Sequence, residues 1–227
     1  CTNDIATQYI DEYETTLCSL YITPMKGRHL GNLLNKDEQC RLAENCGLTI
    51  PQSIIYNRNE DFPTVSYPIL MKPANSNTGE KSDIHICYCQ KDVNKALSAT
   101  STCNQFIIQK FIEKEYEINL IGVSTVNGVY IPVGIRHYPT IYSPCSFGVF
   151  QSVENLNVDV HSILKLMQHV GYHGPFSVEL LHKNAKNYFM EVNFRHDGLA
   201  YAATASGVNL PAMLFNSQTV PMTVNNT

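Results

Sequence analysis

Two acids and an amide carry the clearest chemical signal in this sequence: Glu179 in FSVELL, Glu191 in YFMEVN, and Asn193 two residues further on. Both segments read as strands, whose side chains alternate between faces, so Glu191 and Asn193 share one face while Val192 points the other way. With Glu179 on a neighbouring strand, three oxygen ligands converge on one spot. Such a hard ligand set with few carboxylates suits a Mg²⁺ ion that keeps waters and takes its remaining bonds from nucleotide phosphates, with Mn²⁺ as an alternative. Taken alone, paired acids near strand ends are more often solvated edge residues than ligands.

Cations for an anionic partner lie elsewhere in the chain. Lys72 ends the apolar segment YPILMKP, and the turn-prone ANSNTGEKSD that follows holds Ser76, Thr78, Gly79 and Lys81, which supply charge and backbone donors for phosphate oxygens. Neither G-x-x-x-x-G-K-[ST] nor G-x-G-x-x-G occurs, which removes the main support for a P-loop or dinucleotide fold. In isolation Lys72 reads more readily as a strand-end lysine whose stem lies along apolar surface. Arg195, two residues past Asn193, is expected on the same face, and Arg136 in VGIRHY is either a further anion clamp or a surface cation. His137, His196 and Asp197 flank these groups, and no catalytic role is assigned to them.

The elements that must position these residues follow from periodicity. Ile5, Tyr9, Tyr13, Leu17 and Leu20 recur at helical spacing and predict one amphipathic helix over Asp4 to Leu20, with an apolar face for a preceding domain. A second helix runs from Lys36 to Cys46 and stops at Gly47. YPILMKP and IHICYC form a hairpin with a long loop, Cys87 and Cys89 sharing one strand face, and a short helix spans Asp92 to Ala99. The second half is strand-rich: QFIIQKFI, EYEINLIGVS, GVYIPVGIRHY, PFSVELLH and NYFMEVNF, with a tight turn at Asn127-Gly128 and one helix over Val158 to Gly171. The segment YPTIYSPCSFG is left as a loop.

This is an α+β pattern of two lobes, each with its own antiparallel sheet, divided near residues 103–107. Residues 1–30 are expected to be a helix and linker remaining from a preceding domain, 31–105 a first lobe with a phosphate-covering loop at 74–83, and 106–227 a second lobe with the metal site.

Composition narrows the partners. With 16 Lys+Arg against 20 Asp+Glu, the net charge of −4 offers no basic field for nucleic acid or an anionic membrane, and no apolar run is long enough to span a bilayer. The eight cysteines are scattered without a C-x-x-C pair, which fits reduced thiols in a cytoplasmic protein better than a disulfide framework. The chain opens on Cys1 and closes on VNNT, as expected of a piece cut from a longer protein.

In their order these parts resemble the ATP-grasp superfamily from about Lys36 to Pro211, including the nucleotide-binding parts of biotin carboxylase and carbamoyl-phosphate synthase. NKDEQCRLAENCGLTIP is similar to the family's opening helix, whose lysine, here Lys36, reaches the phosphates. YPILMKPANSNTGEKS resembles its strand and phosphate loop, with Lys72 on the α and β phosphates. IIQKFIEKEYEINL resembles the hinge between lobes, where backbone groups at Lys110 and Ile112 hold the adenine edge and Glu115 holds the ribose. Gln109 stands where the family usually has an acid, and its amide oxygen still suits the adenine amino group. GPFSVELL and YFMEVNFR resemble the metal signature, matching Glu179, Glu191, Asn193 and Arg195. The resemblance implies Mg-ATP bound between antiparallel sheets and a ligase that activates a small carboxylate, or bicarbonate, as an acyl phosphate for attack by an amine. A nucleotide-binding module without turnover is the alternative.

Overall fold

The computed structural model describes residues 2–74, 83–100, 103–139 and 147–215. In chain order these form α1 (Asp4–Glu12), α2 (Glu14–Leu17), α3 (Lys36–Asn45), β1 (Ser53–Asn57), β2 (Ile69–Pro73), β3 (His85–Cys87), α4 (Gln90–Ala99), β4 (Gln105–Lys110), β5 (Tyr116–Thr125), β6 (Gly128–Tyr138), β7 (Phe147–Ser152), α5 (Val160–Val170), β8 (Gly174–Lys183), β9 (Lys186–Asn193), α6 (Ala200–Ala205) and α7 (Leu210–Phe215). The strands make two antiparallel sheets, ordered β1-β4-β2-β3 and β7-β6-β5-β8-β9.

Each sheet buries one face under helices by alternation. In the smaller sheet Tyr56, Ile69, Met71, Phe106 and Ile108 pack against Val93 and Ala96 of α4. The opposite face carries Leu70, Lys72, Ile107 and Gln109, which share a parity set by the β2–β4 register. In the larger sheet Ile118, Leu120, Val178, Leu180, Phe189 and Val192 form the main core with α3 and α5. Its other face is covered in part by Leu210 and Met213 of α7, over Ile121, Val133 and Ile135.

The predicted division between lobes moves. β4 was assigned to the second lobe, yet it pairs with β1 and β2 and completes the smaller sheet, so the crossing lies after Lys110. The chain before β1 was split between a remnant and the first lobe, but Met25, Leu30, Cys40, Ala43 and Leu48 all pack into the core of the larger sheet. The sequence fixes each strand's period but not its partner, and that is why the boundary was misplaced.

Local departures have similar causes. The opening helix breaks at Tyr13, whose backbone (φ −101°, ψ 13°) leaves the helical region. Its inward face is polar: Asp11 accepts from the Leu30 and Gly31 amides, and Glu14 accepts from the Gly27 amide and the Thr23 hydroxyl. The apolar stripe faces outward instead, with Ile5 80% exposed. Cys87 is buried at the end of β3, whereas Cys89 lies beyond it at the start of α4 and is exposed, so the two do not share a strand face. β7, left as loop in the sequence, pairs along β6; its Gly148 leaves space that a Cβ would fill at 2.9 Å from Ile135 and 3.0 Å from the His137 ring.

α3 closes the edge of β9. Asn35 caps this helix by accepting from the Asp37 amide at 2.8 Å, and the chain turns out of it at Gly47 with φ +105°. Inside it, the buried Gln39 side chain acts as a substitute strand partner, its oxygen accepting from the Val192 N–H at 2.6 Å and its nitrogen donating to the Val192 carbonyl at 3.1 Å. Replacing Gln39 with Leu leaves both Val192 groups without their partner. The expected cost is about 2–3 kcal/mol, read as a lower urea midpoint with an unchanged m-value.

Candidate functional site

The β8–β9 register sets Glu179 directly opposite Glu191 and Ser177 opposite Asn193. Strict alternation would also put Phe189 on the Glu191 face. A register shift between Glu179 and Leu180 leaves Met190 as the extra residue on β9, so Phe189 turns into the core opposite Leu180 while Glu191 stays with Glu179. Two like charges facing each other across a strand pair are destabilising, and the chain responds with nearby donors and a cation. Asn193 Nδ2 donates to Glu179 Oε1 at 3.0 Å, and the Lys36 ammonium pairs with Glu191.

Protonation behaviour follows from this crowding. Burial and the neighbouring Glu191 push the Glu179 carboxyl up to about 7, against the opposing pull of Asn193 and Lys36. For Lys36 burial works against the charge, but Glu191, Glu179 and Asp4 outweigh it and raise the pKa. Lys72 is lowered by burial and by the positive charge of Lys36. The site therefore brings two carboxylates together, one of them paired with the Lys36 ammonium, and holds Lys72 near enough to Lys36 to feel its charge. Paired oxygens suit a hard cation and paired lysines suit a polyanion.

The remaining expectations divide. Gln109 is buried and shares the open face of the smaller sheet with Lys72, as the hinge resemblance requires. Lys110 and Ile112 lie where the chain passes between sheets, and the Lys110 amide donates to the Gln52 carbonyl at 2.8 Å. Glu115 stands at the start of β5, its carboxylate accepting from the Asn184 amide at 3.2 Å. Arg195 lies past the end of β9 and reaches back, donating to Asn193 Oδ1 at 3.1 Å and to Asp4 Oδ1 at 2.6 Å. Ser76, Thr78, Gly79 and Lys81 fall outside the described residues.

Arg136 requires a correction. It pairs with Ile118, which pairs with Leu180, so it stands on the sheet face opposite Glu179 and Asn193. There its guanidinium lies 4.7 Å from the centre of the Tyr116 ring. Its parity in β6 decides this, and without the β5–β6 register that parity has no meaning for the site. From that face it does not reach round to clamp an anion beside Glu179 and Glu191.

Three site residues went unassigned in the sequence: Asn119, Ser177 and Asp197. Asn119 is opposite Glu179, and Asp197 Oδ2 accepts from Ser177 Oγ at 2.9 Å and from Asn119 Nδ2 at 3.3 Å. The alternation in EYEINL, with Glu117 and Asn119 polar between Ile118 and Leu120, was the available signal. Beside Lys36 and Glu191 a pocket of about 250 Å³ opens, lined also by Asp4, Gln8, Asn32 and Asn35.

Comparison with known proteins places the chain in a family. A family model described as the ATP-grasp domain matches residues 41–206. A formate-dependent phosphoribosylglycinamide formyltransferase of Shewanella amazonensis is 30% identical over 144 residues, covering 57% of this chain and 35% of that protein. The carbamoyl phosphate synthase large chain of Saccharolobus solfataricus is 23% identical over 190 residues, covering 78% of this chain and 18% of the relative. The chain thus spans well under half the length of these curated relatives. Among solved structures, an N5-carboxyaminoimidazole synthetase from Staphylococcus aureus complexed with ADP superposes with a TM-score of 0.74 at 14% identity, covering 97% of this chain and 60% of its own. At that identity the likeness speaks to the fold.

The raised Glu179 gives a pH signature. Its folded pKa lies above that of an unfolded glutamate, so between about 4.3 and about 7 the native state holds more proton than the unfolded chain, and stability falls as pH rises through that window. Glu179→Gln removes this dependence. In metal-free buffer the variant should match wild type near the acid end and melt higher than wild type above pH 7, as measured by thermal unfolding across pH.

Proposed function

The chain belongs to the ATP-grasp family, and from that premise we propose that it is the nucleotide-binding part of an ADP-forming ligase that activates a small carboxylate with Mg-ATP for attack by an amine. The observation that carries this reading is the crowding of like charges: Glu179 opposite Glu191 on one strand pair, and the half-buried Lys72 close enough to the Glu191-bound Lys36 for its pKa to be lowered. A metal–triphosphate complex is the ligand that relieves both at once. Neither a surface ion pair nor a purely structural polar cluster gains from opposing two carboxylates and two ammonium groups in this way.

In this reading the triphosphate lies between the two sheets. Lys72 from the smaller sheet and Lys36 from α3 hold its oxygens in line, and the backbone at Lys110 and Ile112, with Gln109, receives the adenine edge. Glu115 would leave the Asn184 amide to take the ribose hydroxyls. Glu179, Glu191 and Asn193 would hold Mg²⁺, whose charge would offset the negative charge of the transferring group. A carboxylate oxygen of the substrate attacks the γ-phosphorus as the bond to the β-phosphate oxygen breaks, giving an acyl phosphate and ADP. The amine then adds to the acyl carbon and phosphate leaves, with loss of the amine proton to solvent. Arg195, whose guanidinium keeps free N–H groups beyond those given to Asp4, Asn193 and the His196 carbonyl, faces the carboxylate and then the acyl phosphate.

The pocket of about 250 Å³ between α1, α3 and the end of β9 adjoins this chemistry and suits a small polar acid. No described helix is long and apolar enough to cross a membrane, and the six described cysteines are free, which accords with a reducing compartment where ATP is abundant.

Thermal unfolding with millimolar Mg-ATP tests the proposal. Ligand at about a hundred times its dissociation constant adds about 2.7 kcal/mol, a rise of several degrees, with ATP in excess EDTA giving a much smaller one. Glu191→Ala/Asn193→Ala should lose the magnesium-dependent part, and Lys72→Ala should weaken nucleotide binding about tenfold, consistent with loss of one charge-assisted phosphate contact. Equal shifts in wild type and the double variant would refute the metal–nucleotide site.

A further inference from the structure

We propose that Asn119, on the middle strand of the larger sheet, is an additional oxygen ligand of the cation site, with Asp197 as the residue that orients it. The inference rests on the metal–nucleotide reading above and adds a residue from a third strand. Asn119 is opposite Glu179, and Glu179 is opposite Glu191, so the three oxygen-bearing side chains make one row across β5, β8 and β9. Directly opposed residues of an antiparallel pair hold their Cβ atoms about 4.5–5.5 Å apart, within reach of one ion.

The amide's orientation is determined. Asp197 Oδ2 lies 3.3 Å from Asn119 Nδ2, and an ionised carboxylate has no proton to give, so the NH₂ end must face Asp197 and Oδ1 must face away from it. Asp197 itself is fixed, since its Oδ1 accepts from the Leu199 amide at 2.8 Å at the turn into α6. Ser177 donates to the same Asp197 oxygen at 2.9 Å and lies 3.4 Å from Asn193 Nδ2, which couples Asn119 to the amide already in the donor set.

The outcome is an oxygen without a partner: Oδ1 of Asn119 is buried and accepts no hydrogen bond. A buried acceptor left unsatisfied is costly, and opposite the Glu179 carboxylate it adds to the repulsion. A divalent cation relieves all three groups together. An amide oxygen is a neutral, hard ligand that raises coordination number without adding negative charge, which suits an ion already sharing anionic phosphates.

Titration with Mn²⁺, followed by electron paramagnetic resonance of the free ion, tests this without requiring turnover. Asn119→Ala should weaken Mn²⁺ binding about tenfold, the size of effect typical when a group supporting a metal site is removed. Asn119→Asp keeps an oxygen in place and should bind Mn²⁺ at least as well as wild type. Metal-free melting of each variant checks the fold, and Asn119→Ser, which also withdraws the oxygen, replaces the alanine variant should that one unfold. Wild-type Mn²⁺ affinity in Asn119→Ala alongside lost binding in Glu191→Ala would overturn the assignment and leave the proposed function standing; the oxygen would then face a substrate amine. Undiminished binding in Glu191→Ala as well would bring down the cation site and this inference with it.

Discussion

Two carboxylates fixed opposite one another on adjacent strands are the constraint around which this molecule is arranged. A β-ladder permits no sideways escape: once β8 and β9 pair, Glu179 and Glu191 face each other at the distance set by the sheet. Hydrophobic burial on the reverse face, where Val178, Leu180, Phe189 and Val192 are almost fully enclosed, holds the register in place. The repulsion is thus sustained by the core beneath it. Raised protonation at Glu179 and capture of Glu191 by Lys36 are the responses available without a ligand.

Much of the surrounding architecture keeps that crowded spot supplied with partners. α3 is bound to β9 through the Gln39 amide, and one turn earlier on the same helix stands Lys36, so the helix that seals the sheet edge also delivers the counter-charge. α6 begins just beyond Asp197, whose carboxylate gathers Ser177 and Asn119. The smaller sheet brings Lys72 and Gln109 on the face that α4 leaves open. Each functional side chain is therefore placed by an element whose other face is in a core, and packing converts into aim.

The sequence made some of this legible and concealed the rest for identifiable reasons. The alternation of Glu191, Val192 and Asn193 read directly into the structure, as did the stop of α3 at Gly47 and the hairpin of β2 with β3, because these are local properties of the backbone. What failed was pairing. β4 went to the wrong lobe, and Arg136 was offered as an anion clamp without a face, because a strand's period does not name its neighbour. The bulge at Met190 left no trace in composition, since it matters only relative to β8. Asn119 escaped notice because an asparagine within a strand gains its meaning only from what lies across from it.

The attachment of α3 to β9 has a mechanical meaning. Between the two sheets the chain crosses only from α3 to β1 and from β4 to β5. Lys36 is fastened to the larger body by Gln39, whereas Lys72 is part of the smaller one. The two ammonium groups are thus the tips of separate arms, and their mutual repulsion acts as a weak spring that pushes the arms apart. Under the proposed function, an anion placed between them would reverse the sign of that force and draw the two arms together.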